Sequence, residues 1–317
     1  MKLIIQIPCL NEDATLASVI ASLPARIEGV DQIERLVVDD GGTDRTVEVA
    51  RACGVEHIVT LGRRRGLAAA FMAGIDRALR EGADIIVNMD GDHQYDGADI
   101  PALIAPILQG RAQLVVGERP VRRLEHFSPA KKYLQRAGSA VVRLLSGVKV
   151  DDAPSGFRAV TADAALQLNV FSKYTYTLEM LIQAGGLGLS IETVPVSANP
   201  PTRPSRLASS TAVYLARSTV TMVRMFIVYR PFRFFFFLGC APLATGLITL
   251  AANGFEPGWT PALALGAAAF AWGLAIVGDL IGINRRLLEA VRYRMRREEI
   301  DALRRRAARR ENRGEDG

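Results

Sequence analysis

Two long stretches late in the chain carry almost no charge, and they limit what it can fold into more than any other feature. Residues 232–252 read FRFFFFLGCAPLATGLITLAA, charged only at Arg233, and residues 261–283 read PALALGAAAFAWGLAIVGDLIGI, charged only at Asp279. Each meets the ~20 residues a helix needs to cross a ~30 Å hydrocarbon layer, and helices uncharged on every face belong in lipid or deep inside a large core. We read them as two membrane spans, with a buried hairpin of a soluble core as the alternative. The 317 residues hold 39 Lys+Arg against 33 Asp+Glu, a net charge of +6, and are 49% hydrophobic. That much apolar surface beside 23% charge is most easily accommodated when the two are segregated along the chain. Arg230 and Arg233 precede or open the first span, Arg285, Arg286, Arg292 and Arg294 follow the second, and the connection NGFEPGWT carries only Glu256. The positive-inside rule then places both termini in the cytoplasm. The opening KLIIQIP is too short for a signal peptide. Cys9, Cys53 and Cys240 are scattered and odd in number, which suggests neither a disulfide framework nor a zinc site.

The first 204 residues alternate between two periodicities. Short apolar runs at residues 3–7, 36–38, 57–61, 85–89 and 114–117 read as strands, and between them Leu16, Val19, Ile20 and Leu23, then Val47, Val49 and Ala50, then residues 67–79 repeat at helical spacing. Strands alternating with helices give the α/β class, a mostly parallel sheet covered on both faces. Thr43 or Asp44 can cap the second helix. Residues 205–231 mix Tyr214, Met222, Phe226 and Tyr229 with Arg217, Arg224 and Arg230, the composition of an amphipathic helix lying on headgroups, with core packing against the sheet as the alternative. The arginine-rich residues 284–317 read as a basic cytoplasmic tail whose nearest polyanion is the inner leaflet, so no nucleic-acid partner is expected.

Ligands of such sheets sit beyond the carboxyl ends of the strands, and the acids concentrate there. The fourth run ends in Asp90-Gly91-Asp92-His93-Gln94. Two adjacent carboxylates repel each other and resist burial, so a hard cation such as Mg²⁺ or Mn²⁺ beside them is a natural compensation. A solvated turn is the competing reading of Asp-Gly-Asp. Asn11 and Glu12 end the first run and Asp39 and Asp40 the second; singly each suits a helix cap, while together they suit a shared crevice for a base and ribose. Arg63, Arg64, Arg65, Arg119, Arg203 and Arg206 offer cations for phosphate. No G-x-G-x-x-G follows the first strand and no G-x-x-x-x-G-K-[ST] occurs, which argues against a nicotinamide cofactor and a P-loop.

I-P-C-L-N-E at residues 7–12, V-V-D-D-G-G-T-D at 37–44, G-R-R-R-G-L at 62–67, N-M-D-G-D-H-Q-Y at 88–95, V-G-E-R at 116–119 and S-G-F-R at 155–158 resemble the family-2 glycosyltransferases. More narrowly they resemble the polyprenyl-phosphate glycosyltransferases, including dolichyl-phosphate mannose synthase, over about residues 1–230. The resemblance implies a GT-A fold, Rossmann-like, with the two C-terminal spans as anchor. It also implies a nucleotide sugar donor (GDP-mannose or UDP-hexose), a polyprenyl phosphate acceptor, and Mg²⁺ or Mn²⁺ on Asp90, Asp92 and Gln94. Pro8, Glu12 and Asp39 would hold the nucleoside, with Leu10, Val38, Asp40, Gly66, Gly91, Ser155 and Arg206 in the same substrate site; Asp90, Asp92, Arg119 and Arg203 would carry the reaction. Gly42 departs from the usual Ser, removing a hydroxyl but keeping the turn. Gly156 stands where glucosyltransferase-like members place Asp, and this S-G-F-R form makes the mannosyl branch the closer likeness.

The implied activity is inverting transfer of the sugar to polyprenyl phosphate at the cytoplasmic face of the membrane. An acceptor phosphate with a second pKa near ~6 is already anionic and needs no strong general base. Asp151 and Asp152 are candidates for orienting sugar hydroxyls, with placement in a surface loop as the alternative. A polymer-forming transferase and an inactive membrane-anchored scaffold remain the alternatives. Gly266, Ala267 and Gly273 permit the close helix contact of a homo-oligomer.

Overall fold

A computed structural model describes residues 1–119, 139–140, 142–144, 147–148, 150–170, 176–199, 220, 223–224, 226–256 and 258–311. Arg203, Arg206 and most of the proposed headgroup helix therefore lie outside the described residues. The chain forms two compact units, Met1–Thr211 with Arg292–Gly317, and Ala212–Val291.

The first unit is built on one sheet. Strands β1 (Lys2–Cys9), β2 (Gln32–Asp39), β3 (His57–Thr60), β4 (Ile85–Asn88), β5 (Leu114–Glu118), β6 (Arg158–Thr161) and β7 (Ile191–Pro195) take the order β3-β2-β1-β4-β6-β5-β7. The pairs β1–β2, β1–β4, β2–β3 and β5–β7 are parallel, and β6 enters antiparallel between β4 and β5. Its helices are α1 (Leu16–Ser22), α2 (Thr46–Ala52), α3 (Leu67–Arg80), α4 (Ile100–Leu108), α5 (Ala162–Gln167) and α6 (Thr177–Gly186).

A strand buried on both faces reads as a continuous apolar run, and β1 does. Leu3, Ile5, Ile7 and Cys9 join one core cluster with Leu16 and Val19 of α1 and Ile100, Leu103 and Ile104 of α4. Gln6, on the alternate face, turns to α3, its Nε2 donating toward the Phe71 carbonyl at 3.5 Å. Phe71 in turn stacks on Tyr176, ring centroids 4.0 Å apart; burying such a side chain contributes about 1.5–3 kcal/mol.

β6 and β7 add two strands to the five read from sequence. β6 is four residues long and starts with a buried arginine, and β7 reads IETVP with a terminal proline. Neither shows the apolar periodicity that marks a strand. Because β6 runs antiparallel to β4 and pairs Arg158 with Asn88, the chain entering it brings residues 152–157 beside the end of β4.

In the second unit, α7 (Pro231–Ala252) packs antiparallel on the first part of α8 (Trp259–Glu311). Close approach is made by small residues, as between helices in lipid. A Cβ added to Gly239 would stand 2.7 Å from Trp272 Nε1, and one on Gly278 2.7 Å from the Pro231 Cβ. Both helices are long and apolar enough to cross a membrane, and their apolar windows are only 11% and 17% buried, unlike a hairpin inside a soluble core.

α8 does not stop where its apolar stretch ends, since nothing from Ile283 to Glu311 is Gly or Pro and the intervening residues are good helix formers. Its residues from Arg292 belong to the first unit. Arg292 bonds Asn169 Oδ1, Arg304 donates to the Ala83 carbonyl at 3.0 Å, and Glu299 pairs with Arg80 at 2.8 Å. Arg296 lies 3.5 Å from the carbonyls of both Leu166 and Leu168, where the end of α5 favours a cation. Three tail arginines that sequence assigns to anionic lipid thus have protein partners.

Candidate active site

Because β2, β1 and β4 are neighbours, their carboxyl ends open on one crevice, and the acids read from sequence gather there. The buried Cys9 thiol registers it: burial pushes its pKa well up, and the charges of Glu12, Asp39, Asp44 and Asp90 push it further.

At the end of β2, the acids shape the backbone. Asp39 Oδ1 accepts the Gly42 N–H at 2.9 Å, and Asp40 accepts those of Arg65 at 2.7 Å and Gly66 at 2.8 Å. Asn11 Oδ1 accepts the Thr43 N–H at 2.8 Å, and Asp44 Oδ1 accepts the Thr46 N–H at 3.0 Å. The resulting fold-back presses Gly41, at φ +74°, so close to the Arg63 backbone that an added Cβ would sit 2.4 Å from its carbonyl carbon. The side chains of Arg63, Arg64 and Arg65 are exposed. Pro8 and Val38 are register partners in β1 and β2, both buried, while Leu10 and Gly66 are half-buried.

The end of β4 is different. Among the described residues Asp90 makes no hydrogen bond, and burial and the charge of Asp92 raise its pKa to about 7 against the pull of Arg119. Gly91 leaves no space for a side chain, its hypothetical Cβ falling 2.9 Å from Cys9 Sγ, and its carbonyl is held by the Thr15 hydroxyl at 2.7 Å. His93 follows at φ +59°, and Gln94 Nε2 donates to Asp92 Oδ2. Asn199 ties this loop down, donating from its backbone to the Gln94 carbonyl at 2.9 Å and from its side chain to that of His93 at 3.1 Å.

Asp90 faces Gly156. A Cβ there would stand 2.6 Å from Asp90 Oδ2, so any side chain at 156, the aspartate of the glucosyltransferase-like pattern included, would displace the carboxylate. The peptide around Gly156 is clamped from both sides. Asn88 Nδ2 donates to its carbonyl at 2.8 Å and its N–H donates to Tyr95 Oη at 3.1 Å. Gln6 Nε2 holds Asn88 Oδ1 at 2.8 Å, and Asn88 Nδ2 also reaches Tyr176 Oη at 2.8 Å. Ser155 is wholly buried, its hydroxyl 3.3 Å from Tyr95 Oη.

Two arginines complete the wall. Arg119 forks onto Asp152 at 2.7 and 3.0 Å and lies over the Tyr95 ring at 5.7 Å. Burial works against its charge, but Tyr95, Asp152 and Asp90 raise its pKa overall. Asp152, a candidate sugar ligand by sequence, is thus the partner that aims Arg119. Arg158 is 1% exposed and donates to the carbonyls of Ser155, Thr177 and Ala153 at 2.9, 2.7 and 2.6 Å; burial lowers its pKa to about 10. The motif S-G-F-R by itself gives Arg158 no task, and sequence reasoning passes over Asn88 and Tyr95. The available signal is polarity out of place, an asparagine ending an all-apolar strand.

Asp90, Asp92 and the Gln94 amide oxygen are hard donors suited to Mg²⁺ or Mn²⁺, and a half-buried carboxylate with no hydrogen-bond donor among the described residues fits a site that a cation completes. No group of three or more His, Cys, Asp or Glu converges among the described residues. A metal here would owe its remaining ligands to water and to phosphate oxygens, the usual habit of Mg²⁺.

The chain is similar to several known glycosyltransferases. Undecaprenyl-phosphate mannosyltransferase of Micrococcus luteus is 28% identical over 207 residues, 62% of this chain and 83% of that one. UDP-N-acetylglucosamine–dolichyl-phosphate N-acetylglucosaminyltransferase of Methanococcus voltae is 28% identical over 250 residues, covering 71% and 92%. Glucosyl-3-phosphoglycerate synthase of Mycobacterium tuberculosis, solved with Mn²⁺, UDP-glucose and phosphoglyceric acid, superposes with a TM-score of 0.55 at 26% identity, covering 70% of this chain and 79% of that one. The fold is GT-A. With the family described as Glycosyl transferase family 2 matching residues 4–165, about half its length, the chain belongs to glycosyl transferase family 2 and is a glycosyltransferase.

Proposed function

We propose that this enzyme transfers a hexosyl group from a nucleoside diphosphate sugar to a polyprenyl phosphate at the cytoplasmic membrane surface, with inversion at the anomeric carbon. The observation that carries this reading is the Asp90–Asp92 pair at the end of β4, one carboxylate free of hydrogen bonds among the described residues and pressed against Gly156. Asp90, Asp92 and Gln94 would hold Mg²⁺ or Mn²⁺, which when bound supplies charge to neutralise a departing diphosphate. The fold-back loop tied by Asp39, Asp40 and Asn11 gives the nucleoside a preformed wall. Arg119, held in place by Asp152, adds a fixed positive charge where negative charge builds on the phosphates. An acceptor phosphate brings its own anionic nucleophile, so the chain's task is to position it in line with the sugar rather than to deprotonate it.

Relatives that carry polyprenyl or dolichyl phosphate in their names support the acceptor class, and the two apolar helices suit an enzyme whose acceptor cannot leave the bilayer. The relatives are named for different sugars, so the donor is a matter for experiment, with a mannosyl donor favoured by S-G-F-R. Purified full-length protein is incubated with labelled GDP-mannose, UDP-glucose or UDP-N-acetylglucosamine and polyprenyl phosphate, with and without EDTA. The expected product is a single lipid-linked sugar that EDTA abolishes. A saccharide chain would instead indicate a polymerase, and no product with any donor would indicate a scaffold.

A further inference from the structure

The second unit holds a cavity of about 380 Å³ where the start of α7 meets the turn of α8 around Asp279, Arg285 and Arg286. Arg230, Arg233, Arg285 and Arg286 line it, against the single acid Asp279. Four arginines against one carboxylate give the lining a net positive charge, and of the four Arg285 is the one that is not exposed.

Arg285 shows the consequence. Its guanidinium is laid on the Tyr229 ring, 4.1 Å from the centroid, which fixes its plane. Among the described residues its buried Nε and Nη1 have no hydrogen-bond partner; Glu289 Oε1, also buried and without one, stands 3.7 Å away, at ion-pair distance but too far for a hydrogen bond. Buried guanidinium donors that no described residue hydrogen-bonds leave room for a further acceptor, and a guanidinium fork matches a phosphate.

Position tells which phosphate. Phe232, which lines the cavity, and Phe236, Phe237, Leu238, Ile276 and Leu280 on the same two helices are all large apolar side chains at least 40% exposed. The arginines mark the level where exposed apolar surface gives way to charge, which in a bilayer is the level of the headgroups. Basic pockets between spanning helices on that side are the places where anionic headgroups settle.

We infer that this cavity binds the headgroup phosphate of an anionic membrane phospholipid, at a site built separately from the strand-end crevice. The inference does not depend on the sugar or acceptor of the reaction.

The full chain in nanodiscs of phosphatidylcholine doped with phosphatidylglycerol tests it, with retained lipid measured by native mass spectrometry. Phosphatidylglycerol should be retained over phosphatidylcholine, and retention should fall roughly fivefold for each arginine removed in Arg233→Gln and Arg285→Gln. Arg285→Lys, which keeps the charge, should recover part of it, separating lost binding from lost folding. Equal retention by the parent and the double variant would overturn the inference. So would displacement of the lipid by millimolar inorganic phosphate, which would mark a free-anion site, or retention of added polyprenyl phosphate but not phosphatidylglycerol, which would mark an acceptor site.

Discussion

The acids at the end of β2 and those at the end of β4 look alike in sequence, each a pair beside glycine, yet the structure uses them in opposite ways. Asp39 and Asp40 accept backbone N–H groups from Gly42, Arg65 and Gly66, so their charge goes into holding a loop. Asp90 takes no such bond among the described residues, and its pKa is raised to about 7 by burial and by Asp92. A carboxylate solvated by backbone amides is stable as it stands, whereas one set beside another acid with no hydrogen-bond donor is stabilised by a proton or a cation. Acids of the first kind build the site and those of the second wait for its ligand.

Substitution at Asp92 should separate the two kinds most sharply. Asp92→Asn keeps the shape and removes the charge, so sugar transfer should fall about 10²–10³-fold, as when one preorganised electrostatic contact is lost, with the melting temperature nearly unchanged. Parental activity in a folded Asp92→Asn protein would remove the basis for treating the β4 acids as the working pair.

Asp40→Ala should do the reverse. It leaves the part-buried N–H groups of Arg65 and Gly66 without their acceptor, a loss of about 1 kcal/mol in stability, the low end of the penalty for an orphaned group because water can replace part of the bond. Denaturant unfolding measures this, and the transfer rate of the protein that remains folded should change less than for Asp92→Asn. If Asp40→Ala instead left stability intact and abolished transfer, the contrast between the two strand ends would be wrong.

A smaller effect on transfer than at Asp92 is expected at Gly156. In Gly156→Ala the new methyl would meet Asp90 Oδ2 at 2.6 Å, and the carboxylate must move because Asn88 and Tyr95 hold the peptide from both sides. The Mn²⁺ concentration for half-maximal activity should rise roughly tenfold, about 1.4 kcal/mol, with the rate at saturating metal largely recovered. An unchanged metal requirement would show that Asp90 does not depend on this contact.

Much of this arrangement could be read from residue order alone. Apolar runs ending abruptly in acids located β1, β2 and β4, and a parallel sheet then had to bring those ends together. What sequence could not show was the division of labour among the acids, because a hydrogen bond from Gly66 to Asp40 depends on how residues 61–66 return, a matter of backbone path. β6 escaped for a related reason: its four residues owe their place to Arg158, whose three carbonyl partners come from the loop before the strand and from Thr177. The C-terminal helix taught the opposite lesson. Its arginines were legible, but charge composition alone cannot distinguish anionic lipid from the carbonyl ends of α5.

The least of the expected effects is a dependence on pH in the metal-free protein. Asp90 has an ordinary carboxyl pKa when unfolded and one of about 7 when folded, so between about pH 4 and pH 7 the native state binds more protons than the unfolded state. Stability then falls as pH rises through that window, the reverse of what a salt-bridged acid would give. The contribution is complete below the unfolded pKa and gone above the folded one. Melting curves in EDTA at pH 5 and pH 7.5 should differ by about 3 °C more for the parent than for Asp90→Asn, a value set below the full linkage because solvent reaches part of the carboxylate. Added Mn²⁺ should remove the difference by stabilising the ionised native form. Identical slopes in parent and variant would mean that Asp90 is already compensated in the folded chain, and that the two strand ends differ less than their hydrogen bonds imply.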